Sequence, residues 1–193
     1  KILQSISPED FSNDTHPFGF SREIEIGYGL ARAHRISYVG ELGWELYVSS
    51  DMACHVFEEI EKAGKSHELK LCGLHTLDSC RIEKGFRHFG HDITDEDHIL
   101  EAGLGFTVNL NKGDFIGKEA FLEKKDLGLD RRLLQFKLLD PDEMLFHNEP
   151  ILRNGEVVSY LTSGNYGHYV GGAIGLGYVP CKGEKISDII ESK

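Results

Sequence analysis

Ile36-Ser37-Tyr38-Val39-Gly40-Glu41-Leu42-Gly43-Trp44-Glu45-Leu46-Tyr47-Val48 is the stretch on which the fold of this chain turns. Gly40 and Gly43 interrupt two strand-like runs, Leu30–Val39 and Trp44–Ser49. A glycine break between two such runs predicts a hairpin. On the second arm Leu46 and Val48 alternate with Glu45 and Tyr47, which sends one pair toward a core and the other away from it.

Outward from the hairpin, residues 8–22 read as a loop (Pro8, Asn13, Asp14, Pro17), and Glu23–Gly27 reads as a strand. From Asp51 to Lys65 the apolar residues Met52, Ala53, Val56, Phe57, Ile60 and Ala63 recur at helical spacing. Ser50 or Asp51 is the expected N-cap and Gly64 the expected stop. A second helix fits Gly73–Lys84, ended by Gly85; Phe106–Leu110 reads as a strand and Lys118–Lys124 as a short helix after the Gly117 turn. A charged connector, Lys124–Arg132, precedes a region that is all strand: Leu133–Leu138, Pro150–Arg153, Glu156–Thr162 and Ala173–Val179. Asn154-Gly155, between two of these, is a strong hairpin signal. The pattern predicts an α+β region over 1–130, followed by a small, incomplete β-barrel over 131–193.

Composition narrows the function classes. Among 193 residues, 21 Lys and Arg face 32 Asp and Glu, a net charge of −11, which argues against a nucleic-acid partner. No apolar run reaches the roughly 18 residues a membrane span needs. Cys54, Cys72, Cys80 and Cys181 lack metal-ligand spacing and read as small buried apolar groups in a reducing compartment. That compartment is expected to be the cytoplasm of a bacterium or the mitochondrial matrix of a eukaryote. The chain opens at Lys1 without an initiator Met, within what reads as a helix tail, and it is expected to be a fragment of a longer protein.

Three constellations invite chemistry. Arg87–His98 carries three His and four acids, but it has no helical His pair and no calcium-loop ladder, so a solvated loop is the better reading. Ser163-Gly-Asn-Tyr-Gly-His168 lacks the nucleophile-elbow spelling, and Gly171-Gly-Ala-Ile-Gly175 lacks a dinucleotide loop's setting. The hairpin is more informative. Tyr38 and Tyr47 fall on its two arms beside Glu41 and Glu45. A carboxylate accepts two parallel hydrogen bonds, matching the adjacent N–H and amino group of a guanidine-like heterocycle such as a pterin. Aromatic rings hold the flat face of such a ring. A plain edge hairpin with its polar face to water fits the same residues.

Four ordered motifs add a resemblance over essentially the whole chain. Tyr38-Val-Gly-Glu-Leu-Gly-Trp-Glu-Leu-Tyr47, Leu77-Asp-Ser-Cys-Arg-Ile-Glu-Lys-Gly85, Glu101-Ala-Gly-Leu-Gly-Phe106 and Phe115-Ile-Gly-Lys-Glu-Ala120 resemble the folate-binding aminomethyltransferase family typified by the glycine-cleavage T-protein. The nearer likeness is to the T-protein-like half of dimethylglycine and sarcosine dehydrogenases. Thr162–Gly171 and Leu176–Val179 resemble that family's C-terminal barrel.

The resemblance implies that Glu45 grips the pterin of tetrahydrofolate and that Tyr38, Leu46, Tyr47 and Phe106 line it, with Glu41 a weaker candidate. The family's transfer aspartate would lie before Lys1, so no residue here is offered as catalytic and the fragment alone is expected to be inactive. Leu77 stands where glycine-cleavage T-proteins carry an Arg, and Arg81, one turn later, reads as a structural partner for a carboxylate. The implied activity passes a one-carbon unit from an N-methyl amine, or its iminium or formaldehyde equivalent, to tetrahydrofolate. The implied partners are folate, a methylated amine and the missing N-terminal half, where FAD would sit. A stand-alone transferase on another donor and a non-catalytic folate-binding module remain open alternatives.

Overall fold

Alternation builds the first half of the molecule. In a computed structural model that describes residues 1–191, the chain forms two units, of which the first is Lys1–Leu77. It contains a short helix α1 (Ile2–Ile6), strands β1 (Ser21–Ile26), β2 (Gly29–His34) and β3 (Glu45–Val48), and helix α2 (Ala53–Gly64). The strands form one antiparallel sheet in the order β1-β2-β3. Its register puts Ile24, Ala31 and Val48 in one row and Ala33 opposite Leu46. These side chains share the inner face, where Ile24, Ile26, Ala31, Ala33 and Val56 of α2 form a buried cluster with Trp44, Leu46 and Val48 against it. The outer face carries the complementary rows: Glu23, Arg32 and Tyr47, then Ser21, His34 and Glu45.

The expected hairpin exists as the β2–β3 pair, but its first arm ends at His34 rather than Val39. Beyond His34 the backbone leaves β3 and bonds to the preceding loop: Arg35 N–H donates to the Phe20 carbonyl at 2.9 Å, and Gly19 N–H to that of Arg35 at 3.0 Å. Residues 35–44 are therefore a loop. Helix α2 also starts later than expected, after Met52 and without a side-chain cap from Ser50 or Asp51, because residues 50–52 form a turn of their own. Gly64 stays helical, and the left-handed residue is Glu68, after the 3-10 turn Lys65–His67.

The second unit, Asp78–Lys193, holds most of α3 (Leu74–Glu83), α4 (Lys118–Leu127), β4 (Arg131–Lys137), β5 (Pro150–Arg153), β6 (Glu156–Gly167), β7 (Gly172–Pro180) and α5 (Ile186–Glu191). Its antiparallel sheet runs β4-β7-β6-β5 around a core of Leu145, Ile151, Leu161, Ala173, Val179, Cys181 and Ile189. Asn154 and Gly155 turn β5 into β6 with φ of 54° and 82°, the left-handed pair that a two-residue hairpin needs. The expected strand Phe106–Leu110 is instead a 3-10 turn, Gly105–Thr107, closed by the Thr107 hydroxyl on the Leu104 carbonyl at 2.7 Å. Of the cysteines expected in cores, only Cys181 is buried; Cys54 and Cys72 are exposed and Cys80 is intermediate. Cys54 lies on the open side of α2 and Cys72 in the segment before α3, where no apolar neighbour covers them.

One buried ion pair ties α3 to the sheet. Arg81, 2% exposed, meets fully buried Asp92 at 2.6 Å and Asp78 at 2.6 Å. Asp92 also accepts from the His88 N–H at 2.9 Å and from the Thr162 and Ser163 hydroxyls at 2.6 Å each. Neighbours on a regular strand point to opposite faces, yet both hydroxyls reach one oxygen because β6 bulges between Leu161 and Ser163. The solvated reading of Arg87–His98 thus fails at Asp92. Breaking one side of a buried pair typically costs about 3–5 kcal/mol. Chemical denaturation of Asp92→Ala and of Arg81→Ala should each show a loss of that order, and the Arg81→Met/Asp92→Leu double variant should lose less than the sum.

Candidate functional site

Antiparallel register brings together residues distant in sequence on the outer face of the first unit. His34 lies directly across from Glu45, and the Tyr47 ring stands edge-on to the His34 ring with centroids 4.9 Å apart. The Tyr47 hydroxyl donates to Glu45 Oε2 at 3.1 Å. This hydrogen bond, and then the carboxylate charge, raises the phenol's pKa, so Tyr47 stays a neutral donor across the ordinary pH range. A carboxylate offers about four lone-pair directions and the phenol uses one, so Glu45 retains acceptor capacity for a second, bidentate partner. Tyr47 is 60% exposed and Glu45 half-buried, a carboxylate held in place at an open aromatic surface.

The other expected site residues are placed differently. Tyr38 is half-buried in the 35–44 loop, not on a strand arm, so the two tyrosines do not flank the carboxylates as hairpin partners. Leu46 points its side chain at the core cluster. Glu41 is exposed in the same loop as Tyr38. Phe106 belongs to the second unit, where it is 83% exposed at the tip of its 3-10 turn.

Of the glycines before Phe106, Gly103 makes room for two arginines. A Cβ there would stand 2.7 Å from the Arg87 guanidinium and 3.0 Å from that of Arg132. Glu101, 6% exposed, pairs with Arg131 and Lys124 at 3.1 Å each. The Gly171–Gly175 run enters β7 rather than a strand-to-helix turn, so it is not built as a phosphate cradle. Among the described residues no group of three His, Cys, Asp or Glu side chains is placed to hold a metal ion.

His34 is the site residue that sequence reasoning missed. Its link to Glu45 depends on pairing register, and the period-two pattern of one strand does not fix its partner's register.

Comparison with known proteins adds the family. Residues 1–112 match the GCVT N-terminal domain, and residues 131–192 match the glycine cleavage T-protein C-terminal barrel domain. The chain belongs to the glycine cleavage T-protein family.

It is 46% identical over 177 residues to 4-methylaminobutanoate oxidase (formaldehyde-forming) of Paenarthrobacter nicotinovorans, covering 91% of this chain and 22% of that protein. It is 38% identical to the mitochondrial sarcosine dehydrogenase of Homo sapiens, covering 99% of this chain and 21% of that protein. An aminomethyltransferase of Halothermothrix orenii is 40% identical over 82% of this chain and 45% of its own length. The crystal structure of aminomethyltransferase T from Bartonella henselae aligns with a TM-score of 0.70 and 28% identity, over 78% of this chain and 42% of that one. The T-protein-like chain thus spans about a fifth of the oxidase and dehydrogenase relatives. A mixed α+β region followed by a barrel domain is the architecture of this family member.

Phe106 offers a clean separation of ligand contact from folding. An exposed side chain away from any core usually changes stability by less than about 0.5 kcal/mol when truncated, against about 3–5 kcal/mol for a core Phe. Phe106→Ala should leave the denaturation midpoint nearly unchanged.

Proposed function

We propose that this T-protein-like chain is the tetrahydrofolate-gripping part of an enzyme that passes a one-carbon unit to folate. The donor is an N-methyl amine or its iminium or formaldehyde equivalent, and the whole protein is of the dimethylglycine or sarcosine dehydrogenase type. The observation that carries the reading is Glu45, half-buried on the outer sheet face, with Tyr47 donating to one of its oxygens at 3.1 Å. That arrangement suits the guanidine-like edge of a pterin, which presents two parallel donors to a carboxylate and a flat face to aromatic rings. The oxidase and sarcosine dehydrogenase relatives support an N-methyl amine as donor, and the aminomethyltransferase relatives support the one-carbon transfer.

Tetrahydrofolate, when bound, supplies the amine nitrogens that take up the one-carbon unit. The chain's own residues are assigned simpler tasks. Glu45 fixes the orientation of the pterin, Tyr47 holds Glu45, and Tyr38 offers apolar surface that keeps water from the reacting atoms. Orientation of this kind lowers a bimolecular barrier without acid–base machinery in this part of the protein. The transfer aspartate and any flavin are assigned to other parts of the whole protein. We also place the functional division of the chain near residue 130, between its two family matches.

Calorimetry with tetrahydrofolate on the full-length protein tests the assignment. Removing one partner of a buried charged contact typically costs about 2–5 kcal/mol, so Glu45→Ala should weaken binding on the order of 30-fold or more. An unchanged affinity in Glu45→Ala would overturn the role given to this residue.

A further inference from the structure

His16 has no place in the reading above, yet it is among the most enclosed side chains of the first unit, with no solvent exposure. Its ring lies edge-on to Trp44 with centroids 4.5 Å apart, edge-on to Phe20 at 5.3 Å, and stacked on Phe11 at 5.9 Å. Neither ring nitrogen has a hydrogen-bond partner. The charges that act on it most are both cationic, Arg22 from β1 and Arg35 from the loop after β2. Of the carboxylates in its own loop, Glu9 and Asp10 act on Arg22, and Asp14 is not among the groups that act on His16.

Arg35 links the histidine to the site strand. Its guanidinium donates to the His16 carbonyl at 2.9 Å and lies 5.3 Å over the Trp44 ring. Trp44 immediately precedes Glu45, where β3 begins. A cavity of about 490 Å³ adjoins this assembly, lined by Phe11, Arg35, Leu42, Trp44 and a second histidine, His67, among others.

We infer that His16 is a pH-sensitive positioning residue: neutral, it locks Trp44 and the start of the Glu45 strand against the aromatic loop; protonated, it releases them. An imidazolium would be a third cation beside Arg22 and Arg35, enclosed by three aromatic side chains and without a carboxylate to pair with. Such a charge is costly when buried, and the least expensive relief is for the loop to open. Burial, then Arg22, hold the pKa below the ordinary 6.5; the backbone of Phe20 and of Ala33 works the other way, each more than Arg35 lowers it, and the net direction is down. The unfolded or opened state therefore binds the proton more readily than the closed one. The latch is fully present above the ordinary histidine range, and it weakens as the pH falls below about 6.5 through the lowered value.

Trp44 is the only tryptophan in the chain, so the emission is its own, and because His67 lines the same cavity the His16→Phe control separates the two histidines. Acidifying the chain from about pH 7.5 to 5 should shift Trp44 emission to longer wavelength and increase its quenching by iodide, while far-ultraviolet circular dichroism stays constant. His16→Phe, which fills the aromatic cage without a titrating nitrogen, should hold the emission flat over the same range. NMR titration of the His16 ring in the unsubstituted chain should give the same midpoint as the emission change, a test that stands even where His16→Phe folds poorly. Emission that does not respond to pH, a response that persists in His16→Phe, or a ring midpoint different from that of Trp44 would each overturn the inference. None of these outcomes depends on whether Glu45 meets folate.

Discussion

The fully buried carboxylate of Asp92 is the constraint around which the second unit is arranged. A buried anion is tolerable only when donors surround it, and here Arg81, the His88 N–H, Thr162 and Ser163 supply them from three separate segments. Each donor requires a local concession from the fold. Helix α3 must point Arg81 inward although the guanidinium is 2% exposed, and Asp78, one turn back, shares its charge at 2.6 Å. Strand β6 must bulge at Thr162 so that consecutive hydroxyls face one way. The loop after α3 must turn back on itself, and left-handed Gly85 (φ 64°) starts that turn. Other bonds fasten the same helix, among them Ser79 to the Tyr166 carbonyl at 2.6 Å and Glu83 to the Tyr169 N–H at 2.7 Å.

The first unit follows a different rule. No buried ion pair organises its sheet; strict alternation does. Ala31 and Ala33 on the central strand present little bulk, so larger neighbours fill the inner face from both sides: Ile24 beside Ala31, and Leu46 beside Ala33. Polar side chains are thereby gathered on the other face, and the rigid pairing of β2 with β3 sets Glu45 across from His34. A carboxylate positioned by a sheet is held more firmly than one on a loop, because the strand opposite fixes its backbone.

Much of this was legible in the sequence. Period-two alternation located β1, β2 and β3, the Asn154-Gly155 pair located the β5–β6 turn, and helical spacing located α2 and α3. The ordered motifs gave the family without any geometry. What escaped was whatever depends on a partner remote in sequence. The end of β2 at His34 is set by bonds from Arg35 to the 17–20 loop. Phe106 looked like a strand residue because its neighbours alternate, but a strand needs an edge to pair with, and its segment closes a local turn instead. Asp92 looked solvated because it sits in a charged run, and nothing in that run announces that one acid of four will be enclosed. Arg81 was the exception: an arginine inside an otherwise apolar helical pattern invites a carboxylate partner, and it has two.

These two organising devices respond differently to a change of pH, and that difference follows from charge pairing. Arg81 keeps its proton under all ordinary conditions: burial opposes the charge, but the hydrogen bond to Asp78 and the carboxylates of Asp92 and Asp78 more than offset it. His16 is as little exposed, but it lies among aromatic rings and beside cations, so protonation adds a charge that no carboxylate pairs with. One enclosed charge is thus paired with carboxylates, and the other enclosed group stays neutral in the loop behind Trp44, one residue from the carboxylate proposed to hold the pterin.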